Sequence, residues 1–295
     1  MDTQTLKYIG KDLYKTHILK EWKRYIVFMT RCHLHKGQIN DLLDFFKATP
    51  QRTTSFVEQT TRAFFYKDST WDERIAIVKN HIEYMENIFN DEAIAKLYVN
   101  GERIRLWEDV YEEQPVVMEL WFHGGQRKEG CLSLVLSLGA DELYQIMFWL
   151  APSPEDNELS LWIGALQGTP NGSEIIKGLT KAFFGYRTKN LIFYGIRNVA
   201  AGLGCKHLYA VSNAGYYAMN HVRRDRKLKT SLDDFWQECE GQVCKDQRFF
   251  EMPIEEYRKS MEELKPSKRA QHRRRFAKMD EITESVTEVL NNYKK

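Results

Sequence analysis

Residues 167–173, Gln-Gly-Thr-Pro-Asn-Gly-Ser, sit where an apolar run ends and a helical pattern begins. Free N–H groups at a helix start, aided by the helix dipole, attract phosphate or another anion. Gly168 and Gly172 permit close approach of a ligand to the backbone. Gln167, Gly168, Asn171, Gly172 and Ser173 are therefore candidate contacts for a phosphate-bearing donor. No Gly-Lys-Ser/Thr follows, so this is no Walker A loop, and it lacks a dinucleotide fingerprint. The same residues also make an ordinary strand–helix turn.

Asn213, Tyr216 and Tyr217 follow the run 207–212 directly. An Asn at the end of a central strand can hold a splayed neighbouring backbone. A tyrosine there can donate a proton to a leaving thiolate or orient an acyl group. The plainer alternative is a helix cap by Asn213 beside two packed tyrosines. Glu129, in Arg127-Lys128-Glu129-Gly130, lies between two strand-like runs, where a carboxylate can act as a general base. It also reads as a hairpin-turn residue. His123 closes the run 116–123, as a second candidate base or as a strand-end histidine. No Ser-His-Asp or Cys-His order is detectable.

Two basic runs complete the set. One, at 221–227, contains Arg223 and Arg224. The other holds Lys268, Arg269, Arg273, Arg274 and Arg275 with no acid among them. Such clusters contact phosphates of nucleic acid, lipid headgroups or coenzyme, or stand as solvated helix faces paired with acids. Five cations in two turns repel one another. Asp233, Asp234 or Glu238 can compensate from within, or a polyanion from outside. Without a helix-turn-helix, zinc finger or RNP motif, sequence-specific DNA binding is disfavoured.

The elements that must position these residues change character near residue 97. Before it the pattern is helical. In 71–89, Ile75, Val78, Ile82, Met85 and Phe89 recur at helical spacing, and Ser69 or Thr70 precedes an acidic first turn. After it, 116–123, 131–138, 143–150 and 158–166 are strand-length apolar runs joined by short turns, which predicts an antiparallel meander of about four strands. Helices follow at 173–185 and 188–202, then a strand at 207–212. A short helix is expected near 214–222, and an acidic helix at Ser-Leu-Asp-Asp-Phe-Trp. A long helix, roughly 266–292, has Phe276, Met279, Ile282, Val286 and Val289 on one face.

With 43% hydrophobic residues among 295, the chain can bury a sizeable core, and a net charge of +2 makes it no polyelectrolyte as a whole. Five scattered cysteines argue against a disulfide framework and for a reducing compartment. Cys32-His33-Leu34-His35 has nothing nearby to complete a metal site, so no metal is expected. The charged N-terminus is no secretory signal, and no stretch approaches the length of a membrane span. The expected location is the cytoplasm, free or peripheral to a membrane.

With these residues laid out, the chain resembles the VirK/YbjX family of Gram-negative bacteria from about residue 20 to 290. The matching features are QTTRAFFYKDSTWDER, the R-K-E-G turn, WIGALQG, LTKAFFGYRTKNLIFYGIRNVA, DDFW and SKRAQHRRRF. The family implies a link to virulence, envelope properties and antimicrobial-peptide tolerance, and supplies no settled active site. A weaker, fold-level resemblance is to GNAT acyltransferases, on WIGALQG, SNAGYY and the segment before it. That fold's Gln/Arg-x-x-Gly-x-Gly/Ala loop is missing, and two helices stand where one is usual.

The expected architecture is α+β: a helical region over 1–95, then an antiparallel-rich mixed sheet of GNAT-like order over 96–295 ending in the basic helix. The expected activity is acyl or aminoacyl transfer from a thioester or ester donor to an amine or hydroxyl. The donor would be acyl-CoA, acyl-carrier protein or aminoacyl-tRNA. The rival expectation is a non-catalytic regulatory or envelope-stress protein that docks on a polyanionic partner.

Overall fold

The computed structural model describes residues 3–48, 54–122, 128–169, 173–220 and 230–295. His123, Asn171, Gly172, Arg223 and Arg224 lie outside them, as does the side chain of Ser173. Six helices come first: α1 (Thr3–Leu13), α2 (Leu19–Leu34), α3 (Lys36–Ala48), α4 (Thr54–Thr61), α5 (Trp71–Ile88) and α6 (Asp91–Ile94). A π-helical turn, Ala95–Asn100, leads into the sheet and marks the change of period near 97.

Local chemistry explains the best-defined helix. Thr70 starts α5 with a capping box: the Glu73 N–H donates to Thr70 Oγ1 at 3.2 Å, and the Thr70 N–H donates to Glu73 Oε2 at 2.6 Å. This satisfies two backbone donors that no helix turn can reach. Ile75, Val78, Ile82 and Met85, spaced three and four apart, are buried on one face.

Five strands form an antiparallel meander: β1 (Arg103–Tyr111), β2 (Gln114–Trp121), β3 (Leu132–Leu138), β4 (Asp141–Pro152) and β5 (Leu159–Gly168). The expected meander of four is thus one short, because β1 hides its alternation. Its register shifts between Arg105 and Trp107, so the adjacent Leu106 and Trp107 are both buried. A bulge of this kind breaks the period-2 signal. Helices α7 (Ser173–Ala182) and α8 (Thr188–Gly202) follow, then β6 (His207–Val211) and a 3-10 turn at Tyr217–Asn220 in place of the expected helix near 214–222. The chain continues through α9 (Leu232–Glu238), β7 (Gln242–Val243), β8 (Phe249–Met252) and α10 (Pro266–Tyr293).

The sheet order is β1-β2-β3-β4-β5-β6-β8-β7, with β5 and β6 the one parallel pair among the described residues. Helix α5 packs on one face, against β4. Helix α8 packs on the other, and Gly195 lets it approach Met118 and Leu134 closely. The apolar face of α10 buries Met279, Ile282, Val286 and Leu290 against α8 and β1. The N-terminal helices and the sheet share one hydrophobic core. Among the described residues, no helix is long and apolar enough to cross a membrane.

Candidate active site

The site begins with an irregularity in β5. Phe148 pairs with Ile163 and Met147 with Ala165, so Gly164 is an extra residue that bulges from the strand. Parallel pairing between β5 and β6 runs from Ser160–His207 to Ile163–Ala210 and stops at this bulge. Beyond it, β5 runs on to Gly168 bonded to β4, while β6 is held by β8. The two central strands therefore part at Gly164.

Residues 128–130 lie over the bulge. A Cβ on Gly164 would overlap the Glu129 carbonyl oxygen, and one on Gly130 would collide with the Phe148 backbone. Two glycines thus bring this loop onto the sheet. The segment 65–67 holds it from outside: the Phe65 N–H donates to the Lys128 carbonyl at 2.8 Å, and the Lys67 N–H to the Gly215 carbonyl at 2.7 Å. From α4, Gln59 Nε2 donates to the Gly130 carbonyl at 2.7 Å.

These contacts bury Glu129 to 4% exposure. Its Oε1 accepts hydrogen bonds from Gln167 Nε2 at 3.1 Å and from the Tyr216 hydroxyl at 3.2 Å. Tyr217 adds another. Burial pushes the Glu129 carboxyl up to about 7, against the opposing pull of the Lys128 charge and these hydrogen bonds. Burial, then the adjacent Glu129 charge, pushes the Tyr216 hydroxyl up as well. A carboxyl that titrates near neutrality beside a neutral phenol can accept and return a proton.

Of the expected site residues, the structure brings Glu129, Gln167 and Tyr216 together. Asn213 is not among them. Its Oδ1 accepts the Leu232 N–H at 2.7 Å and its Nδ2 donates to Ser231 at 3.0 Å, so it ties β6 to the start of α9. It holds no splayed strand. Gly168 is small for a packing reason: the Tyr144 ring lies where its Cβ would be. Tyr217, read beside Tyr216, joins Glu129 and Gln167, whereas Gln59, Phe65 and Lys67 escaped the sequence reading. For Gln59 the one signal is α4 itself, where the consecutive polar residues Glu58, Gln59, Thr60 and Thr61 are all buried.

A cleft of about 750 Å³ adjoins this corner and shares Trp149, whose ring also limits Gly164. Trp162 and Tyr209 form its floor with ring centroids 4.2 Å apart. Arg248 stands over Tyr66 at its rim, fixed by Asp246 at 2.7 Å.

The basic half of α10 lies elsewhere. Arg275 and Gln271 both donate to the Phe184 carbonyl at 2.9 Å, at the end of α7. Arg269 donates to the Leu264 carbonyl. The acids proposed as internal partners are engaged otherwise: Asp233 accepts the Asn213 N–H, and Glu238 pairs with Arg187. Lys268, Arg273 and Arg274 are exposed and make no ion pair among the described residues.

A mixed sheet with parted central strands and a buried, near-neutral carboxyl defines an α+β protein with a candidate proton-transfer centre. A family model described as "Protein of unknown function (DUF535)" matches residues 17–288, and the chain belongs to that family. It is 31% identical to the uncharacterized protein YbjX of Escherichia coli (strain K12) over 129 residues, 42% of this chain and 38% of that one. It is 22% identical to an uncharacterized protein of Haemophilus influenzae (strain ATCC 51907 / DSM 11121 / KW20 / Rd) over 271 residues, 87% of each. No solved structure matches, so the GNAT resemblance has no support from a structural neighbour.

Proposed function

We propose that the protein transfers an acyl or aminoacyl group from a thioester or ester donor to an amine or hydroxyl acceptor. The observation that carries this reading is Glu129, buried where β5 and β6 part and bonded to Gln167 and Tyr216. The acceptor's lone pair attacks the acyl carbonyl, and its proton passes to Glu129. The donor's carbon–sulfur or carbon–oxygen bond breaks, and the leaving group takes a proton from Tyr216, which Glu129 replenishes. Beyond Ile163, β5 has no strand partner on its β6 side among the described residues, which gives a carbonyl of the donor peptide groups to bind. The aromatic cleft beside Trp149 suits the acceptor. Acyl-CoA, acyl-carrier protein and aminoacyl-tRNA remain the donor classes, with residues 167–173 as the phosphate-facing loop. The family resemblance attaches this activity to envelope properties, virulence and peptide tolerance.

The test is transfer from acetyl-CoA to hydroxylamine, with a CoA thioether as a thermal-shift probe. Transfer above the blank that Glu129→Gln abolishes supports the reading. No transfer and no shift with thioester, carrier-protein or aminoacyl-tRNA donors overturns it. One observation favours a second reading, a non-catalytic protein that binds a polyanion: Lys268, Arg273 and Arg274 stand exposed without acid partners among the described residues. Salt-sensitive binding of RNA or carrier protein, lost in Arg273→Gln/Arg274→Gln, would support it.

A further inference from the structure

Helix α2 is apolar on two opposite sides. Its inner side buries Phe28 and Cys32 against the other N-terminal helices. Its outer side carries Leu19, Trp22, Ile26 and Val27, which are 68%, 47%, 42% and 43% exposed. At 100° per residue these four fall within one arc facing away from Phe28. A soluble helix normally gives that arc to polar residues. Here Lys23 lies within the arc and Lys20 at its border, and neither has an acid partner among the described residues.

The charge around this face is one-sided. Residues 3–36 hold eight lysines and arginines against two acids, net +6, in a chain whose overall net charge is +2. The remainder is therefore acidic on balance. On α1, Lys7 and Lys11 are exposed together with Tyr8, opposite the buried Leu6 and Ile9.

We infer that the outer face of α2 docks on the surface of an anionic lipid bilayer. Leu19, Trp22, Ile26 and Val27 would enter the boundary between headgroups and acyl chains, while Lys20 and Lys23 meet lipid phosphates. Exposed aliphatics and a tryptophan flanked by lysines are what a helix lying in that plane needs. Charge argues against a second copy of this chain: a two-fold contact would set net +6 against net +6. A nucleic acid would neutralise the lysines but leave the four apolar side chains nothing to bury. The inference is independent of acyl transfer.

Flotation with vesicles of phosphatidylcholine containing phosphatidylglycerol tests it on the full chain. Binding should appear with phosphatidylglycerol, be weak on phosphatidylcholine alone, and fall at about 1 M salt, where the Debye length is about 3 Å. Trp22→Ser/Ile26→Ser and Lys20→Gln/Lys23→Gln should each weaken it about tenfold with an unchanged melting temperature. All four substituted positions are exposed, so both variants test the face without opening the core. Three results overturn the inference: no vesicle binding at low salt, binding that both variants retain, or binding lost only in Arg273→Gln/Arg274→Gln. Self-association that Trp22→Ser/Ile26→Ser disperses, without vesicle binding, assigns the face to a dimer and overturns it too.

Discussion

Two of the protein's buried ionisable side chains, His81 and Glu129, are treated in opposite ways. His81, fully buried on the inner face of α5, receives the Leu150 N–H on Nδ1 at 3.1 Å and meets the Tyr98 hydroxyl through Nε2 at 2.7 Å. Each ring nitrogen has a neutral partner, and burial pushes the imidazole down to about 3. Glu129 is about as deeply buried, yet it stands beside a lysine, two tyrosines and the exposed Gln167, and titrates near 7. Burial alone marks neither as functional. What separates them is that one has a single charge state across physiological pH and the other has two.

The largest effect expected from this contrast is on transfer. Glu129→Gln should lower it by roughly a hundredfold or more, the usual worth of a positioned base. In the unaltered protein the rate should rise with pH through about 7, and the variant's profile should be flat. An unaltered profile in Glu129→Gln would move the base elsewhere.

His81→Ala should instead cost stability, about 3 kcal/mol or more, by leaving a cavity and two unpaired groups at Tyr98 and Leu150. Urea unfolding at pH 7 measures it. Folding also holds His81 neutral, so the unaltered protein should lose stability as pH falls from about 6.5 toward 3. If His81→Gln keeps the same acid sensitivity, the histidine is not its source.

The third effect has the opposite sign. Folding holds a proton on Glu129 that the unfolded chain releases near 4.3. Stability is therefore lost as pH rises from about 4.3 to about 7, and the penalty is complete above that. Glu129→Gln removes it, so the variant should unfold later than the parent at pH 8, by at most about 4 kcal/mol, and alike at pH 4. A variant less stable at pH 8 would mean that the charge supports the fold. Smallest of all, Asn213→Ala should cost about 1 kcal/mol through its contact with α9 and leave the transfer rate per folded molecule intact.

The sequence disclosed some of this unevenly. Helix α5 was legible because capping and spacing agree at Thr70, Ile75 and Val78. Helix α8 was legible because Gly204, with φ of 79°, ends it in a conformation that suits glycine. Strand β1 was not, since its bulge buries two adjacent residues. Strands β7 and β8, of two and four residues, carry too little pattern to read. Glu129, Gln167 and Tyr216 were legible as residue types at strand ends, whereas their meeting depends on the bulge at Gly164, which no periodicity announces. Asn213 suited either role by its chemistry, and only the position of Ser231 assigns it to α9.

The far end of α10 carries a consequence for the order of assembly. The Asn90 N–H donates to the Tyr293 carbonyl at 2.8 Å, the Lys295 N–H to the Ile88 carbonyl at 3.0 Å, and Lys96 reaches the Tyr293 hydroxyl at 2.8 Å. Each contact closes a loop of about two hundred residues, so its entropic cost falls due before any reward. A nascent chain that has emerged only as far as α9 has nothing to cover β1 or the outer side of α8. Until the last helix arrives, that apolar surface is exposed to the crowded interior of the cell, and a chaperone would find its binding site there.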